Sequence, residues 1–423
     1  MPKNQAGLRG FAEEIVRRLR AGGYEAFWAG GCVRDQFMGR EPKDYDVVTN
    51  ARPDQVRELF ADRVTIPVGA VFGVIAVVGR PGQGTIEVAT FRADSSYSDG
   101  RHPDSVQFRS AVEDAQRRDF TINGLYFDPL THEALDYVDG LQDLQARIVR
   151  AIGDPEQRFA EDKLRMLRAI RFATILDFEI APDTLAAIRR RASELGVVSV
   201  ERIGQELRYT LLHPRRRRGA ELLVSSGLME PIFPELESVL REPSGPLWQE
   251  TLQILEALKQ PVLGEILAAL LRPLVAHQVV LQLEPLVEIG DRLRLTRDEI
   301  ETMQFCLSEE ASIRRASQVP WPTLQRLLIR PRIEPLLDYA RAVASVLGEG
   351  QAEVEACIRQ RQQPAAQWNP PPLLTGDDLK QLGIPAGPLY REILTQIRDA
   401  QLNGQLQSRD EALREAHRVW RSS

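Results

Sequence analysis

Two aspartates separated by one residue, Asp44 and Asp46 in the stretch "KDYDVVT", are the residues best placed by spacing to do chemistry. An extended strand repeats every two residues, so both carboxylates are predicted to emerge on one face, a few ångströms apart. Carboxylates that close repel one another and call for a cation. Hard oxygen ligands of this kind select Mg²⁺, which keeps waters and takes the rest of its shell from substrate phosphates. Two such ions, or one together with the substrate, can activate an attacking hydroxyl and neutralise a leaving pyrophosphate in an in-line displacement. Glu87, in the period-2 segment "TIEVATFR", is the candidate third carboxylate. Ahead of the aspartates lies "GGCVR": Gly30 and Gly31 permit close approach of backbone N–H groups to a polyphosphate, and Arg34 offers a forked donor for its oxygens.

These residues need a sheet to hold them. Leu8, Phe11, Ile15 and Leu19 recur at helical spacing over residues 8–21, and "AGGY" ends that helix. Strand-length apolar runs follow in "EAFWAGG", "KDYDVVT", "VFGVIAVVG" and "GTIEVATFR", with one helix, "RPDQVRELFADR", between them. Period-2 alternation stops near residue 150, and amphipathic helical windows occupy the rest. The fold class is therefore α+β: a small mixed α/β head over 1–150, then an all-α neck (151–240), body (241–362) and tail (363–423). Seams at "EPSGP" and "RQQPAAQWNPPPLL" mark the last two divisions. The tail opens on "TGDDLKQLGI", where Thr375 and Asp378 have the spacing of a capping box.

Bulk composition sets further bounds. A chain of 423 residues, 43% hydrophobic and 27% charged, has the make-up of an ordinary globular protein with several domains. No apolar run is long enough to span a bilayer and no targeting signal opens the chain, so a soluble, cytoplasmic protein is expected. Cys32, Cys306 and Cys357 are too widely spaced for a disulfide framework or a cysteine zinc site, and the five histidines show no metal spacing. The net charge of −6 hides a basic segment: Arg147 to Arg218 holds 16 Arg and Lys against 10 Asp and Glu, an excess of +6 that leaves −12 for the remainder. It includes the run Arg215, Arg216, Arg217 and Arg218, which fits a phosphate backbone and also fits a solvated helix start.

Seven elements in order carry a family likeness: "GGCVRD", "KDYDVVT", "FRADSSYSDGRHPDSVQF", "RRDFTINGLYFD", "DYVDGLQDL", "RFAEDKLRMLRAIRFA" and "ERIGQELRYTLLHP". Together they resemble the class II tRNA nucleotidyltransferase and bacterial poly(A) polymerase family, in the polymerase β superfamily, over about residues 26–235. The resemblance implies that Asp44 and Asp46 hold catalytic Mg²⁺ and that Gly31, Arg34 and Arg118 contact a nucleoside triphosphate. Asp119 and Asn123 would touch the sugar or shape the site, with a helix or turn cap as the alternative for Asp119.

The stretch "EDKLRMLRAIRF" bears on substrate choice. On a helix Asp162 and Arg165 would be neighbours on one face. Cytosine and adenine both present an amino donor beside a ring-nitrogen acceptor, whereas uracil and guanine present a carbonyl there. An aspartate that accepts and an arginine that donates can thus select C and A together without a template. The likeness assigns Asp162 and Arg165 that role, with Arg168 and Arg171 at further nucleotide-binding positions. The long polar segment "RADSSYSDGRHPDSV" looks like the family loop that helps the site change from C to A addition. Arg202, Arg208 and Arg215 to Arg218 would grip RNA phosphates. The expected activity is addition of CCA to tRNA 3′ ends from CTP and ATP. The rivals are an A-adding partner of a split system, a poly(A) polymerase and a non-catalytic RNA-binding relative. No membrane or obligate protein partner is implied.

Overall fold

The structure is a computed structural model that describes residues 3–69, 73–94, 106–108, 110–276, 284–385 and 387–422. The chain divides into two compact units, residues 1–237 and 238–423.

The first unit is built on a sheet. Among the described residues seven strands lie in the order β3-β4-β5-β2-β1-β8-β9, with β1 Ala26–Ala29, β2 Asp46–Thr49, β3 Val64–Gly69, β4 Val74–Val78, β5 Thr85–Thr90, β8 Leu125–Asp128 and β9 Glu133–Asp136. Two further short strands, β6 Arg92–Asp94 and β7 Val106–Phe108, pair with each other apart from it. All neighbours in the large sheet are antiparallel except β2 and β5, which run parallel with Asp46 opposite Glu87. The central strand β1, "AFWA", is buried at every position, which is why it reads as a continuous apolar run rather than an alternation. Helix α1 (Lys3–Ala21) covers β1, β2 and β5, and the predicted stripe of Phe11, Ile15 and Leu19 is fully buried there. Each of those side chains contributes about 1.5–3 kcal/mol through burial.

More helix is present in the head than the sequence pattern predicts. Besides α3 (Pro53–Leu59), with Pro53 and Asp54 in its first turn, there are α2 (Gly31–Phe37), α4 (Ala111–Gln116) and α5 (Gly140–Ala146). Each is 7 residues or fewer, too short to show a 3.6-residue period.

The helical neck follows without a gap. Helices α6 (Pro155–Glu161), α7 (Leu164–Leu176), α8 (Pro182–Arg191), α9 (Val200–Leu211) and α10 (Arg216–Ser225) pack with α7 between α9 and α10. Backbone hydrogen bonds join it to the head, among them the Ile152 N–H donating to the Asp119 carbonyl at 3.2 Å and the Ala181 N–H to the Val149 carbonyl at 3.0 Å. A two-residue parallel pair, β10 (Ile148–Val149) with β11 (Glu179–Ile180), adds strand beyond residue 150 that no alternation announces.

The second unit is helical throughout its described residues. One core gathers Phe305, Leu328, Leu336, Val354 and Trp368, and another gathers Leu379, Ile393, Ile397, Ala412 and Ala416 in the tail. The capping box is formed: the Thr375 N–H and hydroxyl donate to Asp378 at 2.6 and 2.8 Å.

Candidate active site

A cavity of about 470 Å³ opens in the first unit where the head of β2, the start of α2, the segment after α4 and the start of α7 converge. Its lining contains Gly31, Arg34, Asp44, Asp46, Arg118, Asp119, Asn123, Asp162, Arg165 and Arg168, so most of the residues singled out from sequence meet in one place.

The two aspartates reach it differently from the expectation. Asp46 is the first residue of β2, but Asp44 lies in a bend before the strand. The reason is the partner strand: β1 ends at Ala29 opposite Asp46, and Gly30, at φ 74°, turns the chain away. Residue 44 has nothing to pair with. Among the described residues neither carboxylate accepts a hydrogen bond or lies within ion-pair distance of a cation. Asp46 lines the cavity; the protein surrounding it and the charge of Asp44 raise its carboxyl to about 6, against the opposing pull of Arg118. Glu87, across from it on β5, adds to the rise but does not line the cavity. Two acceptor-only groups in mutual repulsion fit a divalent cation, which would relieve the repulsion. Among the described residues no group of three or more His, Cys, Asp and Glu could hold an ion, so such a cation would complete its shell with water and phosphate.

Opposite stand the arginines. Arg34 on α2 donates from Nη1 to Asn123 Oδ1 at 2.7 Å and from Nε and Nη2 to Asp35 Oδ1, with its guanidinium 5.3 Å from the centre of the Phe172 ring. Arg118 donates to Asp114 Oδ2 from Nε and Nη2 and lies 5.3 Å from the Tyr126 ring. Asp114 is the anchor: 1% exposed, it also takes Arg117 at 2.7 Å and the Tyr126 hydroxyl at 2.6 Å. Burial alone would raise its carboxyl, but Arg118 and Arg117 hold it at about 2. Gly30 is required beside this cluster, since a Cβ there would sit 3.0 Å from Arg118 Nη1. The neighbouring Cys32 is no nucleophile, because burial pushes its thiol up to about 12.

Asp119 lines the cavity and uses both of its carboxylate oxygens. Oδ1 accepts from the Phe120 N–H at 2.8 Å and Asn123 Nδ2 at 3.1 Å, as in a turn, while Oδ2 accepts from Arg168 Nε and Nη2 at 2.8 and 2.6 Å. A chain of contacts thus runs Arg168–Asp119–Asn123–Arg34. Arg171 lies behind it: it does not line the cavity, pairs with Glu206 at 2.9 Å and packs 4.5 Å from the Phe172 ring centre.

Asp162 and Arg165 both line the cavity, but not as neighbours on a helix. Asp162 has extended backbone, φ −141° and ψ 106°, in the break between α6 and α7, and its Oδ1 accepts the Leu164 N–H at 3.0 Å. The break interrupts what reads in sequence as one amphipathic window. Arg165 therefore pairs with Glu161 at 2.6 Å and bonds the carbonyls of Arg158 and Arg117, both at 3.1 Å. Asp162 Oδ2 instead takes Arg202 Nη2 at 2.8 Å.

Arg202, expected to grip RNA phosphates, lines the cavity beside Asp162. Arg216 departs from that expectation: it is 4% exposed and donates to the Leu211 carbonyl, because its place in the first turn of α10 aims it inward. Arg208 is half-buried on α9, Arg215 is exposed, Arg217 pairs with Glu221 at 3.1 Å and Arg218 with Glu179 at 2.6 Å. Of the loop expected to help the change from C to A, residues 95–105 lie outside the described residues, while its ends belong to β6 and β7.

Known proteins share this plan. Residues 26–150 match the poly A polymerase head domain, and residues 177–240 match a probable RNA and SrmB-binding site of polymerase A. A CCA-adding enzyme of Levilactobacillus brevis is 33% identical over 412 residues, covering 95% of this chain and 96% of that protein. The chain belongs to the CCA-adding enzyme family. A further CCA-adding enzyme, from Enterococcus faecalis, is 32% identical over 414 residues, 95% of this chain and 94% of the relative. The solved Bacillus stearothermophilus CCA-adding enzyme in complex with CTP superposes with a TM-score of 0.75 at 29% identity, over 100% of this chain and 99% of that one. The Thermotoga maritima CCA-adding enzyme complexed with tRNA shares the fold, with a TM-score of 0.68 at 20% identity over 97% and 94% of the two chains. The resemblance read from the seven motifs is borne out at the level of family and fold.

Three residues in or beside this cavity escape the sequence reading. Phe172, whose ring receives Arg34, Arg168 and Arg171, reads as core in an amphipathic helix. Arg117 stands beside Arg118 in "RRDFTIN", and the doubled arginine was the available signal. Asp114 is four residues before Arg118 on α4 and its first turn beyond, a spacing that brings the two together.

Proposed function

We propose that this chain is a template-independent tRNA nucleotidyltransferase that adds C, C and A to the 3′ end of tRNA from CTP and ATP. The tRNA 3′ oxygen bonds to the α-phosphorus, the bond from that phosphorus to the bridging oxygen breaks, and pyrophosphate leaves. What supports the reading most is one observation: unpaired Asp44 and Asp46, the anchored Arg34 and Arg118, and the pair Asp162 and Arg165 all face one cavity.

Asp44 and Asp46 would hold Mg²⁺, which supplies charge neutralisation at the triphosphate and activation of the attacking hydroxyl when bound. Arg34 and Arg118, fixed by Asn123, Asp35 and Asp114, present preorganised positive charge to the triphosphate without reorganisation during transfer. Asn123 and Asp119 shape the floor beside the ribose. Asp162 accepts the exocyclic amino group of C or A, and Arg165 donates to the ring nitrogen; uracil and guanine meet an acceptor with an acceptor there. Arg165 is held by three acceptors that belong to this chain, so base choice needs no template. The family relatives, named CCA-adding enzymes along nearly their whole lengths, support the product assignment. The place of work is that of the RNA substrate, the cytoplasm.

The deciding experiment supplies purified protein with tRNA lacking its end and with tRNA ending in CC, each with CTP, ATP or both. The reading predicts CC from CTP alone on the first substrate, A from ATP alone on the second, and CCA from the mixture. Addition of A only, or of a run of A, would replace it with an A-adding enzyme or a poly(A) polymerase.

A further inference from the structure

A second cavity, of about 290 Å³, lies in the first unit at the other ends of two helices that begin in the active cavity. Helix α2 places Gly31 and Arg34 in the active cavity and Phe37 at this one, while α7 places Arg165, Arg168 and Phe172 in the first and Leu176 at the second. By the helical rise Leu176 lies roughly 16 Å beyond Arg165 and roughly 6 Å beyond Phe172 along α7, so one helix passes from the first cavity to the second.

The lining has two chemistries. Leu144, Leu176 and Phe178 make a buried apolar floor, and Phe37 stands at the rim, 43% exposed, with its ring edge-on to Phe127 at 6.2 Å. A phenylalanine left that open beside guanidinium groups presents a free aromatic face. Around it are Arg40, Arg147 and Arg215, with Arg218 close behind. Asp177 and Glu179 balance part of that charge: Asp177 takes Arg147 at 3.1 Å and lies 3.7 and 3.9 Å from Arg215 and Arg218, and Glu179 takes Arg218 at 2.6 Å. Four guanidiniums against two carboxylates leave an excess of positive charge. Arg40 is exposed, and among the described residues its guanidinium makes no hydrogen bond or ion pair. Arg147 holds its place with a left-handed φ of 59°, a conformation that a non-glycine residue adopts at a cost. Its guanidinium lies 5.7 Å from the Phe178 ring centre.

An aromatic face bordered by unneutralised arginines is the arrangement by which proteins hold single-stranded nucleic acid: the base stacks and its phosphates meet the cations. We propose that this cavity is an RNA subsite that takes an unpaired nucleotide upstream of the growing 3′ end, with its base against Phe37 and its flanking phosphates on Arg40 and Arg215. The inference rests on the reading that RNA is the substrate, and it names where that RNA is gripped apart from the reacting end. An acidic peptide would satisfy the arginines but leave the aromatic face without a partner.

The test uses Phe37→Ala and Arg40→Glu in the full chain. Both side chains are exposed, and unchanged melting temperatures would confirm intact folding. Each variant should raise the KM for tRNA ending in CC, which carries unpaired nucleotides behind its reacting end, by about 5- to 150-fold, the range for loss of one stacked base or its phosphate contact, while the KM for ATP stays as in the wild type. Arg40→Glu should also flatten the slope of log KM against log salt by about one. Direct binding of a fluorescent single-stranded oligonucleotide, measured without nucleotides, should weaken in parallel. Wild-type KM for tRNA and wild-type salt slope in both variants would overturn the subsite, as would weaker binding of an acidic peptide with RNA binding unchanged. If oligonucleotide binding falls in the variants but the wild type adds no nucleotide to tRNA, the subsite stands and the proposed reaction falls.

Discussion

Replacing Asp119 by asparagine removes one charge from the contact chain that runs from Arg168 to Arg34, and its consequences can be worked through. In the native protein the carboxylate accepts two hydrogen bonds from Arg168, one from Asn123 and one from the Phe120 N–H. Burial would by itself raise its pKa, but the Arg168 charge and the Asn123 bond outweigh it and hold the group at about 2. An unfolded aspartate titrates near 3.9. A difference of about two units corresponds to about 2.6 kcal/mol of stability at neutral pH. The Arg168 side chain is 35% exposed, so solvent screening brings the expected loss down to about 1–2 kcal/mol. For a unit of this size that is a fall in Tm of roughly 2–8 °C. The sign with pH follows from the depressed folded pKa: the contribution is complete above the unfolded value near 4 and disappears as pH drops through about 2. Thermal unfolding of wild type and Asp119→Asn between pH 7 and pH 2.5 should therefore show a gap that is constant down to about pH 4 and narrows below it. The asparagine keeps one oxygen for Asn123 and the Phe120 N–H but turns an amide NH₂ toward Arg168, so Arg168 loses its anchor at the cavity and the KM for CTP and ATP should rise. Equal Tm values at pH 7, or a gap that widens on acidification, would refute this account of the network.

Other perturbations separate the remaining roles. Asp162→Asn keeps an oxygen for the Leu164 N–H but no longer presents only acceptors to the base, so discrimination of C and A against U and G should fall by about 5- to 150-fold in competition assays, with little change in Tm. Gly30→Ala puts a methyl group 3.0 Å from Arg118 Nη1 at φ 74°; a loss of about 1–2 kcal/mol in chemical denaturation and a higher KM for the triphosphate are expected. Thr375→Ala removes one half of the tail's capping box and should cost about 1 kcal/mol in unfolding without altering nucleotide preference.

Which features could be read without coordinates depends on how local their cause is. The α1 stripe, the α3 start at Pro53 and the Thr375 cap rest on spacing within one turn or one helix, and each is where its pattern predicts. The convergence of Asp46, Arg118 and Asp162 on one cavity is legible from family likeness rather than periodicity, because nothing in local spacing brings together residues so far apart in the chain. Asp44 falls outside its strand because strand length is set by the partner, and β1 stops at Ala29. Asp162 leaves the helical pattern because a carboxylate that bonds the backbone N–H two residues on competes with the helix. Arg216 turns inward by its position in a packed helix, which a run of four arginines hides. Arg202 meets the cavity through Asp162, 40 residues earlier, a contact that its charge alone does not announce.

The account stands on the pair of acceptor-only carboxylates at the head of β2. Its most direct measurement is incorporation of labelled CTP and ATP into tRNA by Asp46→Asn at saturating Mg²⁺, with tRNA affinity recorded on the same preparation. Loss of incorporation by about a hundredfold or more, with tRNA bound as by the wild type, is the predicted result. Incorporation at the wild-type rate would contradict it.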